Sequence, residues 1–116
     1  MTEKVELEPI LQTIRNVQPE LRERYHADIV GLFGSIVRGD QTASSDIDIL
    51  VDLDQDAGLF DLVELSIFLE ELLNRKVDVV PEDSLRPELR KTVMASIRSP
   101  SAKIALQTML EELNRE

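Results

Sequence analysis

Residues 31–53 read GLFGSIVRGDQTASSDIDILVDL, and this stretch decides the fold of the chain. Its last seven residues, IDILVDL at 47–53, are rich in β-branched side chains and predict a strand. DIVGLF at 28–33 predicts an earlier strand. The polar segment between them is rich in small residues, which predicts a loop with one helical turn.

Helical patterns lie on both sides of this stretch. Apolar residues between Leu7 and Ile14 recur at helical spacing and predict an amphipathic helix. Pro19 suits a first helical position, so we expect a further short helical segment over 19–24.

The second half of the chain continues with helices and one more strand. Residues 59–73 are strongly apolar and predict a core helix, and KVDVVP at 76–81 predicts a third strand. Pro87 opens a helix to about Ile97, and 102–115 predicts a last one. Three short strands beside helices predict a small α+β domain.

Composition narrows the class of protein. The 116 residues fit one domain, and there is no cysteine, which excludes disulfides and thiolate metal sites. The start of the chain lacks the apolar core of a signal peptide, and no apolar run approaches the roughly 20 residues that cross a bilayer. We therefore expect a cytoplasmic protein without membrane contact.

The charge of the chain is strongly acidic but uneven. A net charge of −10 argues against direct nucleic-acid binding, which favours a basic face. Residues 84–103 nevertheless hold five basic side chains and one acid, so they carry +4 and the rest of the chain −14. We expect a solvated basic helix here rather than a docking site.

Asp46 and Asp48 are the first candidate site residues. Residues i and i+2 of a strand point to one face, so Ile47 and Ile49 face the core and the two carboxylates stand together on the other face. Two adjacent anions repel each other, and a hard divalent cation such as Mg²⁺ would relieve the repulsion.

Three further features complete the predicted site. In the third strand Val77 and Val79 face one way and Asp78 the other, so three carboxylates meet if that strand lies beside 47–53, and three acids can hold two Mg²⁺ ions. Gly34 and Ser35 open the helical turn and offer a phosphate cradle. Arg38, one turn later, can neutralise phosphate charge.

Gly34-Ser35, ten residues, then Asp46-Ile47-Asp48 form the GS-x10-DxD pattern of the polymerase-β-like nucleotidyltransferase superfamily. The wider run over 31–53, followed by KVDVV and LRPELR, resembles the minimal nucleotidyltransferases, the small antitoxin partners of HEPN toxins. The resemblance covers roughly residues 7–98.

The resemblance implies a fold and a set of roles. The fold is a short mixed β-sheet flanked by helices, with a domain over 1–98 and a helical extension over 99–116. ATP is the substrate and Mg²⁺ the cofactor. AMP is transferred to a hydroxyl, expected to be a tyrosine of a HEPN-type toxin. The triphosphate is held by Gly34 and Ser35, with Arg38 nearby, Mg²⁺ by Asp46 and Asp48, and Asp78 is a metal ligand or the base.

Alternatives remain beside this interpretation. A P-loop ATPase is excluded because Asp40-Gln41 follow Gly39 where that motif needs Lys and Ser or Thr. Larger polymerases share the core motif but need further domains. A non-catalytic antitoxin that masks its toxin by contact stays open.

The role of the last predicted helix is also open. Leu106, Met109, Leu110 and Leu113 give it one apolar face, which could pack on the domain or form a homodimer or partner contact.

Overall fold

The structure, a computed structural model, describes residues 7–39 and 46–100. The chain begins with helix α1 (Leu7–Tyr25), strand β1 (Ala27–Phe33), helix α2 (Ser35–Arg38) and strand β2 (Ile47–Leu53). It continues with helix α3 (Leu59–Leu73), strand β3 (Val77–Pro81), a 3₁₀ turn (Glu82–Ser84) and helix α4 (Pro87–Ser96). This order confirms the α+β class. The predicted helix at 102–115 lies outside the described residues. No helix within the described ranges has the length and apolar character needed to cross a membrane.

The three strands form one mixed sheet in the order β1-β2-β3. The central strand β2 pairs with β1 antiparallel and with β3 parallel. Ile47, Ile49 and Val51 are fully buried, as the alternation predicts. Leu50 on the opposite face is fully buried too, so the acidic face of β2 is covered beyond Asp48.

Helix α1 is continuous from Leu7 to Tyr25 with Pro19 inside it, so the prediction of a separate segment at 19–24 is wrong. A proline within a helix removes one backbone hydrogen bond. Leu11 and Ile14 before the proline, and Leu21 and Tyr25 after it, are all buried on one face of the helix. Their shared burial in the core offsets the lost hydrogen bond, and the helix continues through the proline.

The outer edge of β1 is closed by two partners from elsewhere in the chain. The Gln18 side-chain amide donates to the Ile29 carbonyl and accepts from the Ile29 N–H, each at 3.0 Å. Leu32 exchanges two backbone hydrogen bonds of 2.9 Å with Arg98. These contacts satisfy backbone N–H and C=O groups at the edge of the sheet, which would otherwise be available to pair with a strand of another chain.

The chain after α4 remains packed on the domain as far as residue 100. Pro100 is buried, and its carbonyl accepts a hydrogen bond of 2.7 Å from Arg15 Nε in α1. A boundary after residue 98 stays a prediction, and the burial of Pro100 indicates that an extension would begin beyond it.

Helix α3 shows two different apolar faces. Leu65 and Leu69 are fully buried with α1 and the sheet in the core. Phe60, by contrast, is 84% exposed, and Leu59, Val63 and Ile67 are exposed as well. The prediction of a core helix is right for the first face and wrong for the second, because an apolar pattern alone does not show whether both faces find a partner.

Candidate active site

Asp48 lies near the start of the central strand β2, at one end of the sheet. Its register partner in β3 is Asp78, and its partner in β1 is Phe33, the last residue of that strand. Asp46 stands just before β2 and is exposed, as is Asp78, whereas Asp48 is half-buried. The pairing of β2 with β3 thus places the two strands that carry the predicted site aspartates side by side.

Gly34 follows β1 directly and lies against the Asp48 carboxylate. A Cβ added to Gly34 would overlap Asp48 Oδ2 and would lie 3.2 Å from Asp48 Cγ. Gly34 also has a φ of 79°, in the region that side chains of L-residues rarely adopt. Both the turn and the close approach of the carboxylate therefore require glycine here.

Helix α2 is a single turn that starts at Ser35, immediately after Gly34. The Gly34 carbonyl accepts hydrogen bonds of 3.1 Å from the N–H groups of Val37 and Arg38. Ile36 is buried in the core and anchors the turn. Ser35 and Arg38 are consequently held at the end of β1 that lies beside Asp48.

The charges at this end of the sheet act on Asp48. Burial raises the pKa of the Asp48 carboxyl above its usual value, and the nearby charges of Asp78 and Asp46 raise it further. The positive charge of Arg38 acts in the opposite direction. The structure thus brings Gly34, Asp46, Asp48, Asp78 and Arg38 into one electrostatic environment, which is where the sequence predicted the site.

The donor set suits a hard divalent cation but does not form a complete cage. Carboxylate oxygens are the ligands that Mg²⁺ favours, and a cation would remove the repulsion that raises the Asp48 pKa. Within residues 7–39 and 46–100, however, no group of three or more acidic or histidine side chains is arranged to hold a metal ion. That Asp46, Asp48 and Asp78 all bind a metal ion stays a prediction. Asp46 and Asp48 are the two principal ligands in that prediction.

The close approach of the segment after α4 to Gly31 was not predicted from the sequence. A Cβ on Gly31 would lie 2.6 Å from the Arg98 carbonyl oxygen and 2.7 Å from Ile97 Cγ1. Gly31 therefore admits the segment after α4, which pairs with Leu32 two residues before Gly34. An isolated glycine inside a strand is the signal that could have indicated this close backbone approach.

His26 and Tyr25 take no part in this site. His26 is exposed, and Tyr25 is buried with its ring 5.7 Å from that of Phe68. Tyr25 is thus a packing residue.

Comparison with known proteins agrees with the motif and the fold. Residues 14–99 match the family model of the nucleotidyltransferase domain. The protein adenylyltransferase MntA of Thermococcus cleftensis is 41% identical over 91 residues, which are 78% of this chain and 92% of that protein.

Solved structures give the same picture. A structure described as a candidate minimal nucleotidyltransferase is 36% identical, with a TM-score of 0.69 over 81% of this chain and 95% of that one. A complex of an AMPylated HEPN toxin of Shewanella oneidensis with its MNT antitoxin gives a chain with a TM-score of 0.54 at 20% identity, covering 90% of this chain and 92% of that chain. At that identity the second likeness shows the fold alone.

Proposed function

Since this chain belongs to the nucleotidyltransferase family, as a minimal nucleotidyltransferase, we propose that it transfers AMP from ATP to a tyrosine hydroxyl of a partner protein. The chain is an enzyme of the nucleotidyltransferase class. Its relative from Thermococcus cleftensis is named a protein adenylyltransferase. One observation supports the proposal most strongly. A Cβ on Gly34 would overlap the Asp48 carboxylate, so the two halves of the GS-x10-DxD motif lie close together.

In the proposed reaction the acceptor oxygen attacks the α-phosphorus of ATP. The bond from this phosphorus to the bridging oxygen of the β-phosphate breaks, and pyrophosphate leaves. Mg²⁺, when bound, would supply positive charge for the leaving pyrophosphate. Gly34 and Ser35 would hold the triphosphate, Arg38 would balance its charge, and Asp46 and Asp48 would hold the ion.

We propose that the Asp78 carboxylate acts as the general base that removes the proton of the acceptor hydroxyl. Its carboxylate is exposed beside Asp48 in the sheet, so an incoming hydroxyl can reach it without disturbing the core. A general base has to lie within hydrogen-bond reach of the proton that it removes. The alternative role is that of a third metal ligand, and replacement of Asp78 by histidine separates the two, since histidine retains a base but removes a hard oxygen ligand.

We propose a HEPN-type toxin as the partner and an antitoxin role for this chain. Support comes from the shared fold with the antitoxin in the AMPylated Shewanella oneidensis complex and from the sequence of the protein adenylyltransferase MntA. The chain has no cysteine, which is in keeping with the cytoplasmic location that we propose for this pair.

Masking of the partner without catalysis is the second candidate. A masking antitoxin would neutralise its partner with the site acids removed.

Intact-mass spectrometry of the partner tests the proposal. The partner protein is incubated with ATP, Mg²⁺ and wild-type enzyme, Asp48→Asn or Asp52→Asn. Asp52 lies on the same strand and is exposed, outside the site, so it is the matched control. We expect added AMP with wild type and Asp52→Asn and none with Asp48→Asn. Unmodified partner that is nevertheless inhibited by all three proteins would favour masking.

A further inference from the structure

We propose that the ring of Phe33 contacts the nucleoside part of the bound nucleotide, and that this contact lets the site distinguish ATP from inorganic triphosphate. The inference rests on the proposed function and adds a binding residue that lies outside the GS-x10-DxD pattern. It is carried by an irregularity in strand β1, which turns Phe33 to the same face of the sheet as Asp48.

Strand β1 contains one residue more than the part of β2 with which it pairs. Ile29 pairs with Val51. The neighbouring residue of β2, Leu50, pairs with Gly31, so Val30 is an extra residue in β1. Such a β-bulge changes which face of the sheet the following side chains take.

The bulge exchanges the faces of the residues that follow it. Side chains alternate along a strand, so in a regular β1 Phe33 would share the core face with Ile29. Instead Leu32 is fully buried in the same core as Ile29, and Phe33 is turned to the opposite face. Its antiparallel register partner there is Asp48, and residues paired in this way hold their Cβ atoms about 5 Å apart. The bulge thus brings an aromatic ring beside the site carboxylate.

Part of the Phe33 ring is available to a ligand, because the residue is half-buried. The next pair along this face is covered. Leu50 is fully buried, and Ile97 and the Arg98 carbonyl occupy the space where a side chain of Gly31 would stand. Phe33 therefore stands between the covered part of this face and the candidate site.

Phe33 is the aromatic residue placed for this role. The chain has three phenylalanines, one tyrosine and no tryptophan, and all four rings lie within the described ranges. Tyr25 and Phe68 pack with the core on the other side of the sheet. Phe60 belongs to α3, whose buried residues lie in the same core. Of the four rings, Phe33 is thus the one that shares a face with Asp48.

The position of Phe33 places it with the nucleotide and not with the acceptor. It directly precedes Gly34 and Ser35, which we propose hold the triphosphate. Asp78, the proposed base for the acceptor, lies two strands away, roughly 10 Å at the usual strand spacing. The face of a phenyl ring carries partial negative charge and does not attract phosphate, whereas a nucleoside base packs well on it. The nucleoside is consequently the part of ATP that Phe33 contacts.

Isothermal titration calorimetry of the full chain with Mg²⁺ tests the inference, with ATP and inorganic tripolyphosphate as the two ligands. The wild type should bind ATP more tightly than tripolyphosphate. Phe33→Leu keeps an apolar side chain but removes the ring, so it should weaken ATP binding roughly tenfold or more and leave tripolyphosphate binding unchanged. Phe33→Tyr retains the ring and should bind ATP as the wild type does. Phe60→Leu is the control, because that ring is 84% exposed on α3, and its ATP affinity should not change.

Two results of the titration overturn the inference. Equal weakening of both ligands by Phe33→Leu would show that the ring only supports the fold of the triphosphate site. An unchanged ATP affinity would show that the ring does not touch the nucleotide. Both results leave the transfer reaction of the wild type intact, whereas a wild type that binds neither ligand contradicts the proposed function together with the inference.

Nuclear magnetic resonance tests the contact itself. With Mg²⁺ and ATP bound to the wild type, nuclear Overhauser effects should connect ring protons of Phe33 with ribose or adenine protons. The signals of Phe33 are identified by their loss in Phe33→Leu. Bound ATP that shows such effects to a different ring, or to none, overturns the inference.

Discussion

At the scale of single residues, the site depends on how closely Gly34 and Asp48 approach each other. The sequence motif names both residues but does not show that the Asp48 carboxylate occupies the space where a side chain at position 34 would stand. This close approach places the two halves of the proposed site beside each other. Gly34 and Gly39 flank the α2 turn, and only Gly34 lies against Asp48. Mutation can therefore separate the roles of the two glycines.

Gly34→Ala should abolish transfer, whereas Gly39→Ala should preserve it. Both glycines have positive φ, 79° and 83°, so each alanine variant should lose about 1–2 kcal/mol of stability. Only at Gly34 does the new methyl group displace the Asp48 carboxylate, since nothing lies within 4 Å of a Cβ at Gly39. We expect transfer by Gly34→Ala to fall roughly a hundredfold or more. Comparable activities of the two folded variants would contradict the proposed contact.

Asp48→Asn should raise the melting temperature at neutral pH in EDTA. The folded-state pKa of Asp48 lies above its ordinary value of 3.8, so the ionised carboxylate opposes folding. This cost is fully present above the raised pKa and disappears as the pH falls through it. The melting temperatures of wild type and Asp48→Asn should therefore converge in acid. A variant less stable than wild type at neutral pH would show that the carboxylate has a stabilising partner.

At the scale of elements, the sequence predicted the bounds of β2 and α3 and the single turn of α2. These segments have strong local signals, such as β-branched runs and a glycine at each end of the turn. It did not predict the continuity of α1 across Pro19 or the exposed face of α3. Both depend on which other elements pack against the helix, and local pattern does not contain that information.

Gln18→Ala should destabilise the domain through the edge of β1. The Gln18 amide makes two partly buried hydrogen bonds to Ile29, and its loss leaves both backbone groups without that partner. We expect a loss of about 1–3 kcal/mol in chemical denaturation, and faster hydrogen exchange at the Ile29 amide. Gln12→Ala is the control, because its hydrogen bond to Arg15 is exposed and its loss should cost little. Equal stabilities of the two variants would rule out this role for Gln18.

At the scale of the whole molecule, the order of the strands brings the site together. The acids at 46–48 and at 78 are separated in sequence, and only the parallel pairing of β2 with β3 places Asp48 beside Asp78. The sequence predicted three strands, and the family resemblance implied a mixed sheet. The register itself pairs residues that are far apart in the sequence, which no local pattern specifies.

The central claim is that this site transfers a nucleotidyl group and not a phosphoryl group. ATP labelled at the α-phosphate and ATP labelled at the γ-phosphate are incubated separately with Mg²⁺, partner protein and wild-type enzyme or Asp48→Asn. We predict that label from the α-phosphate enters the partner with wild type alone, and that label from the γ-phosphate never does. Transfer of γ-label, or undiminished transfer of α-label by Asp48→Asn, would contradict the account.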